Sequence, residues 1–134
     1  MTENAHLSYS LLCDDVRLEA GNKLSVMGIF QGIYLPSLPG TVLRFALLNH
    51  WSGQGEHNTK IYLLSPDRST IMMKTPSSNF SLKTQRFSDN VTLFNHLVFS
   101  EYGTHILQVY LDGIMVKEVP LNVLMSDYPI SRIH

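Results

Sequence analysis

Apolar residues in this chain recur at every second position in short runs spaced about ten residues apart, and nowhere do they keep the i, i+3, i+4, i+7 spacing of an amphipathic helix over three turns. A period of two places alternate side chains on opposite faces of an extended strand, so the chain is expected to be all-β. The runs are Leu7 to Leu12, Val16 to Glu19, Leu24 to Leu35, Thr41 to Asn49, Lys60 to Leu64, Thr70 to Lys74, Val91 to Phe99, Thr104 to Leu111 and Ile114 to Leu124. Gly21-Asn22 and Asp112-Gly113 separate neighbouring runs as tight-turn signals, because these residue types accept positive φ cheaply. Gly28 and Gly32 mark a bend inside the third run, and Pro36 to Gly40 breaks the ladder, since proline donates no hydrogen bond. Residues 51–58 read as a glycine-rich loop. The two runs flanking Pro66-Asp67-Arg68 read as a hairpin, and 75–90 as an irregular crossover with a weak strand at Phe80 to Lys83.

The Asp112-Gly113 turn sets Leu111 against Ile114 and Val109 against Val116, after which the apolar phase slips to Val119, Leu121 and Val123. A bulge at Lys117-Glu118 would restore it. These elements describe a single β-sandwich of about eight strands, immunoglobulin-like or related in topology, over residues 1–134. A chain of 134 residues buries about two-thirds of the surface its unfolded form exposes, enough for a core without staples. No apolar run approaches a membrane helix, and Met1 to His6 lacks the basic flank and apolar stretch of a signal peptide, so a cytoplasmic protein with no membrane contact is expected. A net charge of -1 argues against nucleic acid as a partner, because affinity for the phosphate backbone needs clustered Lys and Arg.

Cys13 is the only cysteine and sits beside Leu11 and Leu12, which suits a small packed hydrophobe; Asp14 and Asp15 would raise its pKa and so weaken any nucleophilic role. Asp14, Asp15, Arg17 and Glu19 form the densest charge cluster, and its two adjacent carboxylates invite an acid/base or metal reading, although no catalytic residue is assigned. Adjacent carboxylates in a strand point to opposite faces, which favours turn-capping and ion pairing over convergence on a substrate. The six histidines show no HxH, HxxxH or HExxH spacing, so no metal and no cofactor is expected. His50, Trp51, Glu56 and His57 flank or occupy the glycine-rich loop and form the candidate ligand-binding set, with Trp51 partly exposed for stacking on a sugar or small molecule.

The segments Cys13-Asp14-Asp15-Val16-Arg17-Leu18-Glu19 and Gly21-Asn22-Lys23-Leu24-Ser25, continuing to Gly28, together with Tyr102-Gly103-Thr104 through Asp112-Gly113, resemble the opening and closing patterns of a family of small uncharacterised bacterial proteins. The resemblance covers both ends and not residues 51–90, and His105 stands where that pattern more often has an aromatic residue. It implies a bacterial or phage-like β-sandwich and transfers no mechanism and no site residue.

The expected function is therefore a non-enzymatic binding or assembly module. A binder of small molecules or carbohydrate through His50, Trp51, Glu56 and His57 is the first alternative, and an enzyme using Asp14, Asp15 and Arg17 the second. The expected partner is another protein or a second copy in a symmetric dimer. Two features argue for self-association. The charged fraction is 16%, against about 25% in ordinary soluble domains, and Val91 to Phe99 lacks the charges and proline that protect an edge strand.

Overall fold

The computed structural model describes residues 5–126. The opening residues read for a signal peptide and His134 lie largely or wholly outside that span. Every regular element among the described residues is a strand: β1 (Ala5–Glu19), β2 (Lys23–Ile29), β3 (Gly32–Leu35), β4 (Gly40–Leu64), β5 (Ile71–Lys74), β6 (Ser78–Phe99), β7 (Gly103–Leu111) and β8 (Ile114–Met125). They form one open mixed sheet in the order β2-β1-β4-β7-β8-β3, with β5 and β6 also paired to β4. Only the β3–β8 pair is parallel. The all-β reading therefore holds.

The 25-residue β4 is the spine. One side of it meets β1 along 46–53 and β7 along 59–64; the other meets β6 along 40–59 and β5 along 62–64. Two expectations are corrected here. Residues 51–58 are strand, not loop, and 75–90 is mostly β6 and not an irregular crossover. Glycine and serine weaken a strand in isolation, but each segment supplies the other's hydrogen bonds: Ser52 lies opposite Phe87, and Glu56 opposite Ser81. The glycines still act, since Gly53 (φ 131°) and Gly55 (φ 101°) take up the register shift.

Both ends of β4 contribute to a single apolar cluster. Phe45, Leu47 and Trp51 enter it from before the glycines, Ile61 and Leu63 from after, and Leu12, Phe94, Leu107 and Leu121 join from β1, β6, β7 and β8. Trp51 is 0% exposed, so the expectation of a partly exposed loop tryptophan is overturned. The alternation along β4 directs it to the face of Phe45 and Leu47, where its ring lies 5.4 Å from that of Phe80. His105 is likewise fully buried, edge-on to Phe99 at 5.0 Å. Its Nδ1–H donates to the Gly103 carbonyl at 3.2 Å, and burial pulls its pKa below the ordinary imidazole value.

The turns follow the sequence closely. Gly21 and Asn22 connect β1 to β2 with positive φ, and Asp112 and Gly113 connect β7 to β8 in the same way, with Leu111 opposite Ile114. The bulge falls one residue earlier than expected. Tyr110 faces Met115 and Val109 faces Lys117, so the extra residue is Val116 and the expected Val109–Val116 pair does not form. Beyond the bulge, Leu107 meets Val119 and the apolar phase is restored. The bend in the third run separates β2, paired with β1, from β3, paired with β8. Gly28 (φ 66°) serves that bend, and a Cβ there would collide with the Asp14 carboxylate.

Because Trp51 is the sole tryptophan, its fluorescence reports on one site. Emission should be blue-shifted and resistant to iodide and acrylamide; ready quenching by both would contradict its burial. His105, held neutral, stabilises the fold at pH values above its unfolded pKa of about 6.5 and withdraws that support as acid protonates the unfolded chain preferentially. The melting temperature should therefore fall between about pH 7 and 5, and His105→Leu should flatten that dependence.

Candidate interaction surface

The four residues expected to grip a ligand are distributed to three places. Alternation along β4 turns His50 to the outer face and Trp51 into the core. Glu56 accepts a 2.7 Å hydrogen bond from the Ser81 hydroxyl. His57, almost fully buried, has Nδ1 2.7 Å from Asp112 Oδ2 and Nε2 2.8 Å from the Gln54 carbonyl. Only Glu56 and His57 share a hollow, of about 300 Å³, with Asn58, Asn79 and Asp112.

That hollow is first of all a structural clamp. Asp112 Oδ1 accepts from the Asn58 amide at 2.9 Å, and the Asp112 amide donates to the Asn58 carbonyl at 2.9 Å. Burial alone would raise the Asp112 carboxyl, but the hydrogen bonds from His57 and Asn58 outweigh it and hold the group below its ordinary value. The β7–β8 turn is thereby fastened to β4 just past its glycines.

The two carboxylates of the enzyme alternative do not converge. Asp15 accepts from Arg44 at 2.9 Å, with Arg17 at 3.8 Å, while Asp14 is exposed beside Gly28. Arg17 thus has the nearby carboxylate the sequence leads one to expect. Cys13 is fully buried; burial first, and Asp14 second, raise its thiol pKa. Among the described residues, no three His, Cys, Asp or Glu side chains gather as metal ligands.

The feature the sequence reading missed is the outer face of β2, β1, β4 and β6. Register places Tyr9 beside His50, Leu11 beside Leu48 and Cys13 beside both Ala46 and Ile29. On the far side, His50 meets Asp89, Leu48 meets Val91 and Ala46 meets Leu93. Tyr9 stacks on His50 at 4.7 Å and His50 on Phe87 at 5.0 Å, while His50 Nδ1 lies 2.6 Å from Asp89. Tyr9, Ile29, Phe87, Val91 and Leu93 are 41% to 66% exposed, although each is large and apolar. The ion pairs of Asp15 with Arg44 and Arg17 bound this face at one end. The signal for it was Phe45-Ala46-Leu47-Leu48, all buried: a run apolar on both faces implies that the second face is also sheltered.

The model of a family of unknown function, DUF6941, matches residues 8–124. The chain belongs to this family. The match runs through residues 51–90, between the two terminal patterns, and includes every member of the outer face named above. No curated protein matched the chain. In this DUF6941 chain no helix of the described residues is long and apolar enough to cross a membrane.

Replacing Asp112 with Ala strips the clamp of its acceptors while leaving a non-glycine residue at φ 51°. A loss of about 1–3 kcal/mol in chemical denaturation is expected, and an unchanged midpoint would show that the clamp does not hold the turn.

Proposed function

We propose that the protein is a non-enzymatic binding or assembly module whose working surface is the outer face of β1, β2, β4 and β6, and that its partner is a protein. The observation that carries this reading is the concentration of exposed large apolar side chains, Tyr9, Ile29, Phe87, Val91 and Leu93, on one side of one sheet. Contiguous apolar patches of this kind on soluble proteins mark interaction sites. The aromatic row is held in place by stacking and by the His50–Asp89 pair, so it presents a preformed surface at small entropic cost. The dispersal of His50, Trp51, Glu56 and His57 favours this reading over a ligand-gripping loop, and the ion pairing of Asp15 with Arg44 while Asp14 lies exposed elsewhere favours it over an enzyme. We read the bent sheet as a sandwich related to immunoglobulin-like folds, supported by the one core that both ends of β4 share. A cytoplasmic setting belongs to the same proposal, and a bacterial or phage-like one rests on the resemblance of the terminal segments.

A photo-crosslinking residue at position 87 should give protein adducts in cell extract at far higher yield than the same residue at position 114, which is equally exposed on the distant hairpin. Equal yields at the two positions would overturn the proposal.

A further inference from the structure

We infer that the outer edge of β6 pairs antiparallel with the same edge of a second copy, with the two-fold axis passing beside Thr92. The inference rests on the protein-binding reading above and names one partner for it.

β6 is bonded to β4 along one side only, and among the described residues no strand pairs with its other side. That free side carries unsatisfied amides and carbonyls in the stretch where protection is weakest. Soluble monomers blunt such edges with charge, proline or bulges, whereas residues 91–99 contain no proline and no Asp, Glu, Lys or Arg. His96 (φ 54°) interrupts the regular backbone only near the end of this stretch.

The side-chain pattern selects the register. Faces match in an antiparallel pair only if opposed residues share parity, so the axis must pass beside a residue and not between two. Centred on Thr92, the pairing sets Val91 against Leu93 of the second copy twice over, covering two apolar side chains that are 41% and 42% exposed in the single chain. It also sets Asp89 against Asn95. Moving the centre to Val91 or to Leu93 would instead bring the Asp89 carboxylate against a leucine, Leu93 or Leu97 respectively. Charge supports the same orientation: exposed Lys83 and Arg86 lie before the centre and exposed Glu101 after it, so antiparallel alignment brings the basic end of each edge toward the acidic end of the other.

A hollow of about 350 Å³ between β5 and β6, lined in part by Ile61, Met73, Asn90 and Thr92, opens along this edge. The Asn90 amide oxygen is buried there without a hydrogen-bond donor. An apposed strand covers the hollow and brings donors to its rim. The assembly is an isologous, closed dimer, the commonest form among soluble oligomers. It extends β2-β1-β4-β6 through the axis into the same four strands of the second copy and doubles the aromatic face.

The test uses the full chain in solution. Light scattering coupled to size exclusion should give twice the chain mass across a tenfold dilution from micromolar concentration, and Leu93→Lys, a change at an exposed position, should return it to one. Opposed Cα atoms in an antiparallel pair lie about 4.5–5.5 Å apart, within disulfide range, and Cys13 is too buried to compete. Oxidised Thr92→Cys should therefore run as a covalent dimer, whereas Ser88→Cys should not, since its two copies would lie far from the axis on opposite sides. A single-chain mass for the unmodified protein overturns the inference; if position 87 still cross-links to other proteins, the binding-module reading survives it. A doubled mass indifferent to Leu93→Lys, with no Thr92→Cys dimer, overturns this edge and leaves self-association through another surface.

Discussion

The hydrogen-bond requirement of one long strand organises everything else. Each residue of β4 except at its ends exposes an amide and a carbonyl that must find partners if the strand is to be buried. Along 46–53 and again at 59 and 62–64 β4 is flanked on both sides, by β1 and then β7, and by β6 and then β5. On the β1 side the change of neighbour begins at Gly53, and positive φ at Gly53 and Gly55 takes up the register shift against β6. The His57–Asp112–Asn58 clamp lies next to that change and fastens the β7–β8 turn to it. A strand interrupted at this point would lose both the shared core and the clamp.

This arrangement explains which parts of the fold were legible in the sequence. Local signals were dependable: Gly21-Asn22 and Asp112-Gly113 form the turns they announce, the Pro36 to Gly40 break ends β3 before β4, and the strands flanking Pro66 pair as a hairpin. Signals that depend on distant partners were not. Glycines at 53 and 55 and the polar stretch from 75 to 90 resemble loop because strand propensity there is low, and only their mutual pairing holds them extended. The bulge was inferred correctly from the slipped apolar phase, but phase alone cannot say which of several residues is extruded, and Val116 proved to be that residue.

The candidate site was harder to read for a related reason. Period-two patterning separates two faces without saying which one meets the core. His50 and Trp51 are neighbours in sequence and so lie on opposite sides of the sheet, the tryptophan among the core residues and the histidine between Tyr9 and Phe87. Tyr9 and Phe87 come together only through β4, 78 positions apart in the chain. No spacing rule reaches that far.

The parallel pair of β3 and β8 carries a consequence for the life of the chain before it is folded. Gly32 pairs with Asn122, ninety positions later, and β1 waits for β4 just as β4 waits for β6 and β7. Loops of this length must close before their contacts repay the entropy spent, so a topology of this kind assembles slowly. During synthesis the apolar run from Phe45 to Leu48 leaves the ribosome well ahead of the strand that will flank it on one side. The nascent protein therefore passes through an interval in which its central strand is half covered, a window in which a holding chaperone would protect the yield of folded chain.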